Sequence, residues 1–81
     1  MQLQISFKPA EGAIIRILGL IERRGFMLRD LAVRDEDTDG SITVDLSPRD
    51  PGRQLHVLAR QLDRLVEVKS VAIGTAAGPY S

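Results

Sequence analysis

The chain has 81 residues, of which 43% are hydrophobic and 27% are charged, and this is typical of one small globular domain. Basic and acidic residues number 11 each, so the net charge of zero argues against a nucleic-acid binder, which usually carries a basic excess. The lack of cysteine and the single histidine exclude disulfides, thiolate metal sites, a cysteine nucleophile and a multi-histidine metal cage. With no long apolar run and no signal peptide pattern, we expect a soluble cytoplasmic protein without membrane or nucleic-acid partners.

The first part of the chain predicts a strand, a helix and a chain reversal. Residues 2–7 alternate apolar and polar side chains, which indicates a strand with one buried face. Residues 11–24 carry apolar side chains at helical spacing, and Gly25 follows as a predicted left-handed C-terminal cap. Ile15 and Leu20 lie outside the main apolar stripe, so they either widen it or face a partner.

The predicted second strand, residues 26–35, changes the phase of its apolar side chains part of the way along. Even-numbered positions are apolar before Arg29 and odd-numbered positions are apolar after Asp30, so a bulge near these two residues would bring both sets to one face. A third strand is predicted over residues 41–47. The acidic residues 35–39 between these strands favour a solvated hairpin tip over a cation site, because they lack the spacing of a calcium loop.

The second half of the chain predicts a helix over residues 53–65 and a last strand over residues 66–73 that has a phase change of its own. His56 lies in the first turn of this helix without an evident partner, which favours a packing or surface role over that of a general base. Residues 75–81, rich in glycine, alanine and proline, are predicted to form a flexible tail after a domain of residues 1–74.

The order strand–helix–strand–strand–helix–strand predicts an α+β fold of the ferredoxin-like βαββαβ type. Four antiparallel strands then form a sheet with two helices on one face. This fold serves many unrelated functions, and no catalytic or metal-binding constellation stands out in the sequence. Weak candidate sites are an anion site at Gly12, a basic cluster that includes Arg24, and an apolar sheet edge at Met27, Leu28 and Leu31. Compensation of the helix dipole, together with solubility, is favoured over a binding role for the basic cluster, and core burial explains the apolar edge as well as an interface does.

Two segments of the chain resemble ACT domains of acetolactate synthase small subunits. Residues 18–26, LGLIERRGF, resemble the helix and the RGF or RGY that follows it in this family. Residues 61–73, QLDRLVEVKSVAI, resemble the family pattern QL-x-KLVDV-x-x-VAI. Ser47-Pro48-Arg49 matches the short isozyme II type, and the similarity runs in the right order over residues 2–73.

The resemblance implies a non-catalytic regulatory subunit of acetolactate synthase in branched-chain amino-acid biosynthesis. Such a subunit holds no cofactor or metal, and it binds and activates a large catalytic subunit that carries thiamine diphosphate, FAD and magnesium. The resemblance also implies that ACT domains pair side by side through their sheet edges as homo-oligomers. An effector, here a branched-chain amino acid, would then bind between the first strand–helix loop of one copy and the second strand of its neighbour.

The resemblance can be carried over to individual positions of this chain. The implied effector-binding residues are Pro9, Ala10, Glu11, Gly12, Ala13, Met27 and Leu28. The implied dimer or partner interface is Arg24, Phe26, Met27, Leu28 and Leu31. Pro9 and Met27 each replace an asparagine that could hydrogen-bond an amino acid, which argues against valine feedback. The short family type is likewise described as insensitive to valine.

A stand-alone ACT module that binds a small amino acid at a dimer interface is the alternative function. Two other functions of this fold agree less well with the residues. An acylphosphatase-like enzyme needs a phosphate-binding loop with an arginine after the first strand, and Lys8-Pro9-Ala10-Glu11 does not supply one. An RNA-recognition module needs aromatic side chains on its central strands, where this chain has aliphatic ones.

Overall fold

The computed structural model describes residues 1–74, and the predicted tail, residues 75–81, lies outside the described residues. The elements are β1 (Gln2–Phe7), α1 (Ala13–Arg23), β2 (Phe26–Asp35), β3 (Gly40–Pro48), α2 (Leu55–Asp63) and β4 (Val68–Gly74). The strands form one antiparallel sheet in the order β2-β3-β1-β4. The predicted ferredoxin-like βαββαβ fold is therefore confirmed.

The hydrophobic core lies between one face of the sheet and the two helices. The central strands contribute their alternate side chains, Leu3, Ile5, Phe7, Ile42, Val44 and Leu46. The helices contribute Ala13, Ile17, Leu20, Ile21, Leu58 and Leu62. Leu20 thus widens the apolar stripe of α1, whereas Ile15 is 77% exposed and stays outside the core.

The predicted bulge in β2 is confirmed. The register of β2 against β3 shifts between Leu28 and Asp30, which leaves Arg29 as the extra residue. Because of this shift, Leu31 and Val33 face the same side of the sheet as Leu28, the side that carries the helices. The change of phase in the sequence therefore marks the bulge and not a second buried face.

The last strand also contains an irregularity, which lies at Lys69, where the register of β4 against β1 shifts. This shift accounts for the phase change in the predicted strand. The predicted start of the strand at Val66 is wrong, because β4 begins at Val68. Val66 is 95% exposed in a turn that is closed by a hydrogen bond from the Val68 N–H to the Leu65 carbonyl (3.0 Å).

Both helices begin two residues later than their sequence patterns predict. Before α1, Gly12 has a left-handed backbone (φ 77°), and before α2, Gln54 is extended (φ −114°, ψ 127°), so neither residue continues a helix. Gly25 has φ 87° directly after the end of α1, which confirms the predicted left-handed cap. No helix within residues 1–74 has the length and apolarity needed to cross a membrane.

The acidic stretch between β2 and β3 forms the predicted hairpin tip. The Glu36 N–H donates to the Asp39 carbonyl (2.8 Å) and closes the turn. The ammonium group of Lys69 pairs with the Asp39 carboxylate, and this hydrogen bond lowers the pKa of Asp39 below its ordinary value. The tip is thereby tied to β4 across the end of the sheet.

Candidate functional site

The loop that joins β1 to α1, residues 8–12, forms a compact turn directly onto the helix. The Ala13 N–H donates to the Ala10 carbonyl, and the Arg16 N–H donates to the Gly12 carbonyl, both at 3.0 Å. Gly12 adopts its positive φ without the steric cost that a Cβ would add. Of the implied effector-binding residues 9–13, residues 10–13 are therefore held together in one hydrogen-bonded turn, which Pro9 precedes.

The side chain of Arg16 lies over this loop. Its Nη2 donates to the Glu11 carbonyl (3.0 Å) and to the carboxylate of Glu67, which lies in the turn before β4. A Cβ added to Gly12 would fall 2.8 Å from the Nη1 of Arg16, so only glycine allows the guanidinium group to approach this closely. The Lys8 N–H also donates to the Glu67 carbonyl (2.7 Å), so Glu67 contacts the loop through its backbone and its side chain.

The charges beside the loop are balanced within the chain. The hydrogen bond from Arg16 lowers the pKa of Glu67 below its ordinary value, and a backbone hydrogen bond adds to the effect. Glu67 is therefore ionised at neutral pH and compensates the Arg16 guanidinium group. The loop thus offers a ligand backbone groups and small side chains more than a free positive charge.

An open cavity of about 400 Å³ lies beside the loop. Its lining includes Ala10, Gly12, Ala13, Ile14, Ile15 and Asp35. Asp35 is the last residue of β2, the strand at one edge of the sheet, so the cavity extends from the loop to this edge.

The outer edge of β2 has the properties of a pairing surface. In the described sheet, β2 hydrogen-bonds only to β3, and it is 10 residues long. Leu31 and Val33 are each 42% exposed although they face the helix side, because the helices do not fully cover this strand. A long edge strand with exposed apolar side chains readily pairs with another chain.

Within one chain, the implied effector-binding residues fall into two separate groups. Residues 9–13 lie near the end of β2 at Asp35, whereas Met27 and Leu28 lie near its start. Of the residues implied at the interface, Arg24, Met27 and Leu31 are exposed and Leu28 is half-buried. Phe26 belongs to the core, with an exposed fraction of 2%.

Sequence reasoning missed Arg16, Glu67 and Asp35 beside the loop. Arg16 follows Gly12 by one helical turn, which is the only local signal that it lies over the loop. Glu67 is separated from Arg16 by 51 residues, so their contact depends on the whole fold. The sequence predicts Asp35 at the end of the second strand, where the acidic stretch begins, but only the fold shows that it lies beside the cavity.

Residues 9–71 match the family described as ACT domain. A probable acetolactate synthase small subunit of Methanothermobacter thermautotrophicus is 31% identical to this chain over 67 residues, or 83% of the chain. The chain spans only 39% of the length of that relative.

Solved structures agree with the chain in fold. The crystal structure of the ACT domain from GTP pyrophosphokinase of Chlorobium tepidum has a TM-score of 0.75 and 17% identity, and the match covers 88% of this chain and 91% of that one. The solution structure of the C-terminal domain of the MgtC protein from Mycobacterium tuberculosis has a TM-score of 0.67 and 19% identity. That match covers 88% of this chain and 80% of the MgtC domain. At these identities the likeness shows the fold alone.

Proposed function

This chain belongs to the ACT domain family, and we propose that it is a non-catalytic regulatory subunit of an acetolactate synthase, acting in branched-chain amino-acid biosynthesis. The observation that carries the proposal is the 31% identity, over 83% of this chain, to a probable acetolactate synthase small subunit. In this role the chain binds the large catalytic subunit and raises its activity. Thiamine diphosphate, FAD and magnesium then belong to that subunit.

The edge strand β2 supports a homodimer in which two copies extend one sheet. If Ala32 of one copy faces Ala32 of the other in antiparallel pairing, each Leu31 faces a Val33 and each Asp30 faces an Arg34. Apolar and oppositely charged cross-strand pairs stabilise such ladders, and like charges opposed to each other destabilise them. The two-fold axis makes the surface complementary to itself, as a symmetric dimer requires.

The same pairing would complete the cavity beside the β1–α1 loop. Antiparallel β2 strands place the start of one strand, with Met27 and Leu28, beside the end of the other at Asp35. The two groups of implied effector residues would then meet across the interface. A small amino acid fits the balanced charge of this loop, although Pro9 and Met27 offer it no side-chain hydrogen bond.

A second candidate function is that of an amino-acid-sensing module without an acetolactate synthase partner. The observation that favours it is the cavity of about 400 Å³, which lies where the family resemblance places an effector. The two functions differ in whether the chain requires a catalytic partner.

Calorimetric titration distinguishes the two candidates. The purified chain is titrated into the purified acetolactate synthase catalytic subunit of the same organism and, separately, with valine, leucine and isoleucine. Saturable association with the catalytic subunit supports the regulatory role. Heat with an amino acid and none with the subunit supports the sensing module, and a flat response in every titration contradicts both. Gly12→Asp tests the loop, with Gly19→Ala as the matched glycine control on α1.

A further inference from the structure

The direction of the backbone groups along β2 follows from the hydrogen bonds of the neighbouring strand β3. The Leu46 N–H donates to the Met1 carbonyl (2.6 Å), so the backbone of Leu46 points toward β1. Because residues of an antiparallel strand alternate in direction, the backbone of Val44 also points toward β1. Leu31 faces Val44 in the register of β2 against β3. The N–H and carbonyl of Leu31 therefore point away from β3, at the outer edge of the sheet.

The hairpin between β2 and β3 gives the same result independently. The Glu36 N–H donates to the Asp39 carbonyl (2.8 Å), so the backbone of Glu36 points toward β3. Alternation back along β2 then directs the backbones of Asp35, Val33 and Leu31 outward. A strand that adds to this edge must hydrogen-bond to these three residues.

One of the outward-pointing backbone groups is already occupied. The Leu31 N–H donates to the Oδ1 of Asp30 (2.9 Å), directly after the bulge at Arg29. A hydrogen bond to an ionised carboxylate is stronger than one to a neutral carbonyl. An added strand offers this N–H only a carbonyl, so the exchange is unfavourable unless the carboxylate gains a new partner.

The sheet around Asp30 offers its carboxylate an unfavourable neighbour. Asp30 faces Asp45 directly across the β2–β3 ladder, and like charges in such positions destabilise the pairing. The Met1 amino group lies 3.2 Å from the Asp45 carboxylate and compensates that charge. Asp30 instead directs its carboxylate to the Leu31 N–H. To displace it from this N–H without supplying a cation would leave it beside a second carboxylate.

A second copy of β2 supplies the missing cation. In the antiparallel pairing about Ala32, Asp30 of each copy faces Arg34 of the other, and both side chains lie on the face of the sheet opposite the helices. Leu31 faces Val33 in the same pairing, and the outward backbones of these two residues can exchange hydrogen bonds. Each Asp30 carboxylate then leaves the Leu31 N–H and forms a charge-assisted contact with a guanidinium group.

We propose that Asp30 makes the β2 edge selective for a second copy of this chain. Its carboxylate closes the Leu31 N–H to any strand that does not place a cation opposite Asp30. The inference rests on the homodimer of the proposed function and adds how that edge excludes other strands. Charges and bulges commonly protect sheet edges from unwanted pairing. Here the protecting charge also recognises the correct partner, so one residue penalises the wrong strand and favours the right one.

Sedimentation equilibrium of the full chain tests the proposal with wild type, Arg34→Ala and the double variant Asp30→Ala/Arg34→Ala. Arg34→Ala should weaken the dimer about tenfold, because it removes two symmetric charge pairs while both Leu31 N–H groups must still be released. Adding Asp30→Ala should then tighten the dimer by at least about threefold, because no carboxylate competes for the Leu31 N–H. Adding Asp63→Ala, which removes an exposed acid of α2, should leave it as weak as in Arg34→Ala.

A simple ion pair between Asp30 and Arg34 predicts a different result. Without the competition for the Leu31 N–H, the double variant would dimerise as weakly as Arg34→Ala, and that result would overturn the proposal. A wild-type chain that stays monomeric at every concentration would overturn it as well. Association with the catalytic subunit is measured separately by calorimetry, so failure of the selective edge is distinguishable from failure of the regulatory role.

Hydrogen exchange measured by NMR detects the contact in the monomer. In a dilute sample of Arg34→Ala, the Leu31 amide should exchange more slowly than the Val33 amide, which points outward on the same edge, once both rates are corrected for neighbouring side chains. Adding Asp30→Ala should remove this difference. Equal corrected rates for the two amides in Arg34→Ala would show that Asp30 does not close the edge.

Discussion

Arg16 and Glu67, 51 residues apart in the sequence, form an ion pair that ties the β1–α1 loop to the turn before β4. The Lys8 N–H donates to the carbonyl of the same glutamate. Because both contacts end on Glu67, the conformation of the loop depends on where the last strand begins. The loop beside the candidate effector cavity is therefore positioned by tertiary contacts as well as by its own sequence.

Arg16→Gln should loosen the loop without unfolding the domain. The substitution removes the contact to Glu67, while the core side chains of α1 stay in place. Exposed ion pairs contribute little to global stability, so the effect should be local. Hydrogen exchange of the Ala13 amide, measured by NMR, should be faster than in wild type. Arg23→Gln, on the same helix, is the control, and equal exchange in Arg16→Gln and wild type would show that Arg16 does not hold the loop.

Glu67 should contribute to the acid sensitivity of the fold. Its pKa is lower in the folded chain than in the unfolded one, because Arg16 donates a hydrogen bond to its carboxylate. Such a group stabilises the fold at pH values above its unfolded-state pKa. This contribution is lost as the pH falls through the folded-state pKa. The free energy of unfolding, measured by urea denaturation, should therefore decline less on acidification in Glu67→Gln than in wild type. Glu22→Gln should keep the wild-type slope, and identical slopes for all three proteins would disprove the role of Glu67.

Replacement of Gly12 and of Gly19 by alanine should change the stability of the fold in opposite directions. Gly12→Ala places a Cβ at φ 77° and 2.8 Å from the Nη1 of Arg16, so it should destabilise the fold by about 1 kcal/mol or more. Gly19→Ala lies within α1, where the added Cβ would meet only the Nη1 of Arg23 at 3.7 Å, so it should stabilise the fold by about 0.5–1 kcal/mol. Chemical denaturation measures both changes. Equal shifts of the same sign would contradict the geometry of Gly12.

Charge exchange tests the proposed register of the β2–β2 dimer. Arg34→Asp opposes two carboxylates at each of two symmetric positions, so it should shift sedimentation equilibrium toward the monomer. Adding Asp30→Arg restores opposite charges in reversed order and should recover the dimer. Arg60→Asp on α2 is the control for charge reversal outside this edge. A double variant that is as monomeric as Arg34→Asp would refute this register.

The sequence allowed the fold and one of its irregularities to be predicted. The sequence of strands and helices along the chain and the buried faces of the helices follow from periodicity, and the bulge at Arg29 follows from a change in the phase of the apolar positions. The start of β4 was predicted wrongly, because Val66 is apolar and β-branched like a strand residue, yet it lies exposed in a turn. Local propensity does not distinguish these two environments.

The candidate sites were less predictable than the fold. The loop at residues 9–13 was located through the family resemblance, but its contacts with Glu67 link distant parts of the chain. The Oε1 of Gln61 is buried without a hydrogen-bond partner within residues 1–74, and nothing in the sequence around Gln61 predicts this. Periodicity shows which face of a helix is buried but not which polar atoms on that face lack a partner.

The central claim is that this chain regulates an acetolactate synthase. The most direct measurement is the rate at which the purified catalytic subunit of the same organism forms acetolactate as the folded chain is added. The account predicts that turnover rises with the amount of chain and reaches a plateau, and that the response weakens with Gly12→Asp but not with Gly19→Ala. An unchanged rate at a large excess of folded wild-type chain would contradict it.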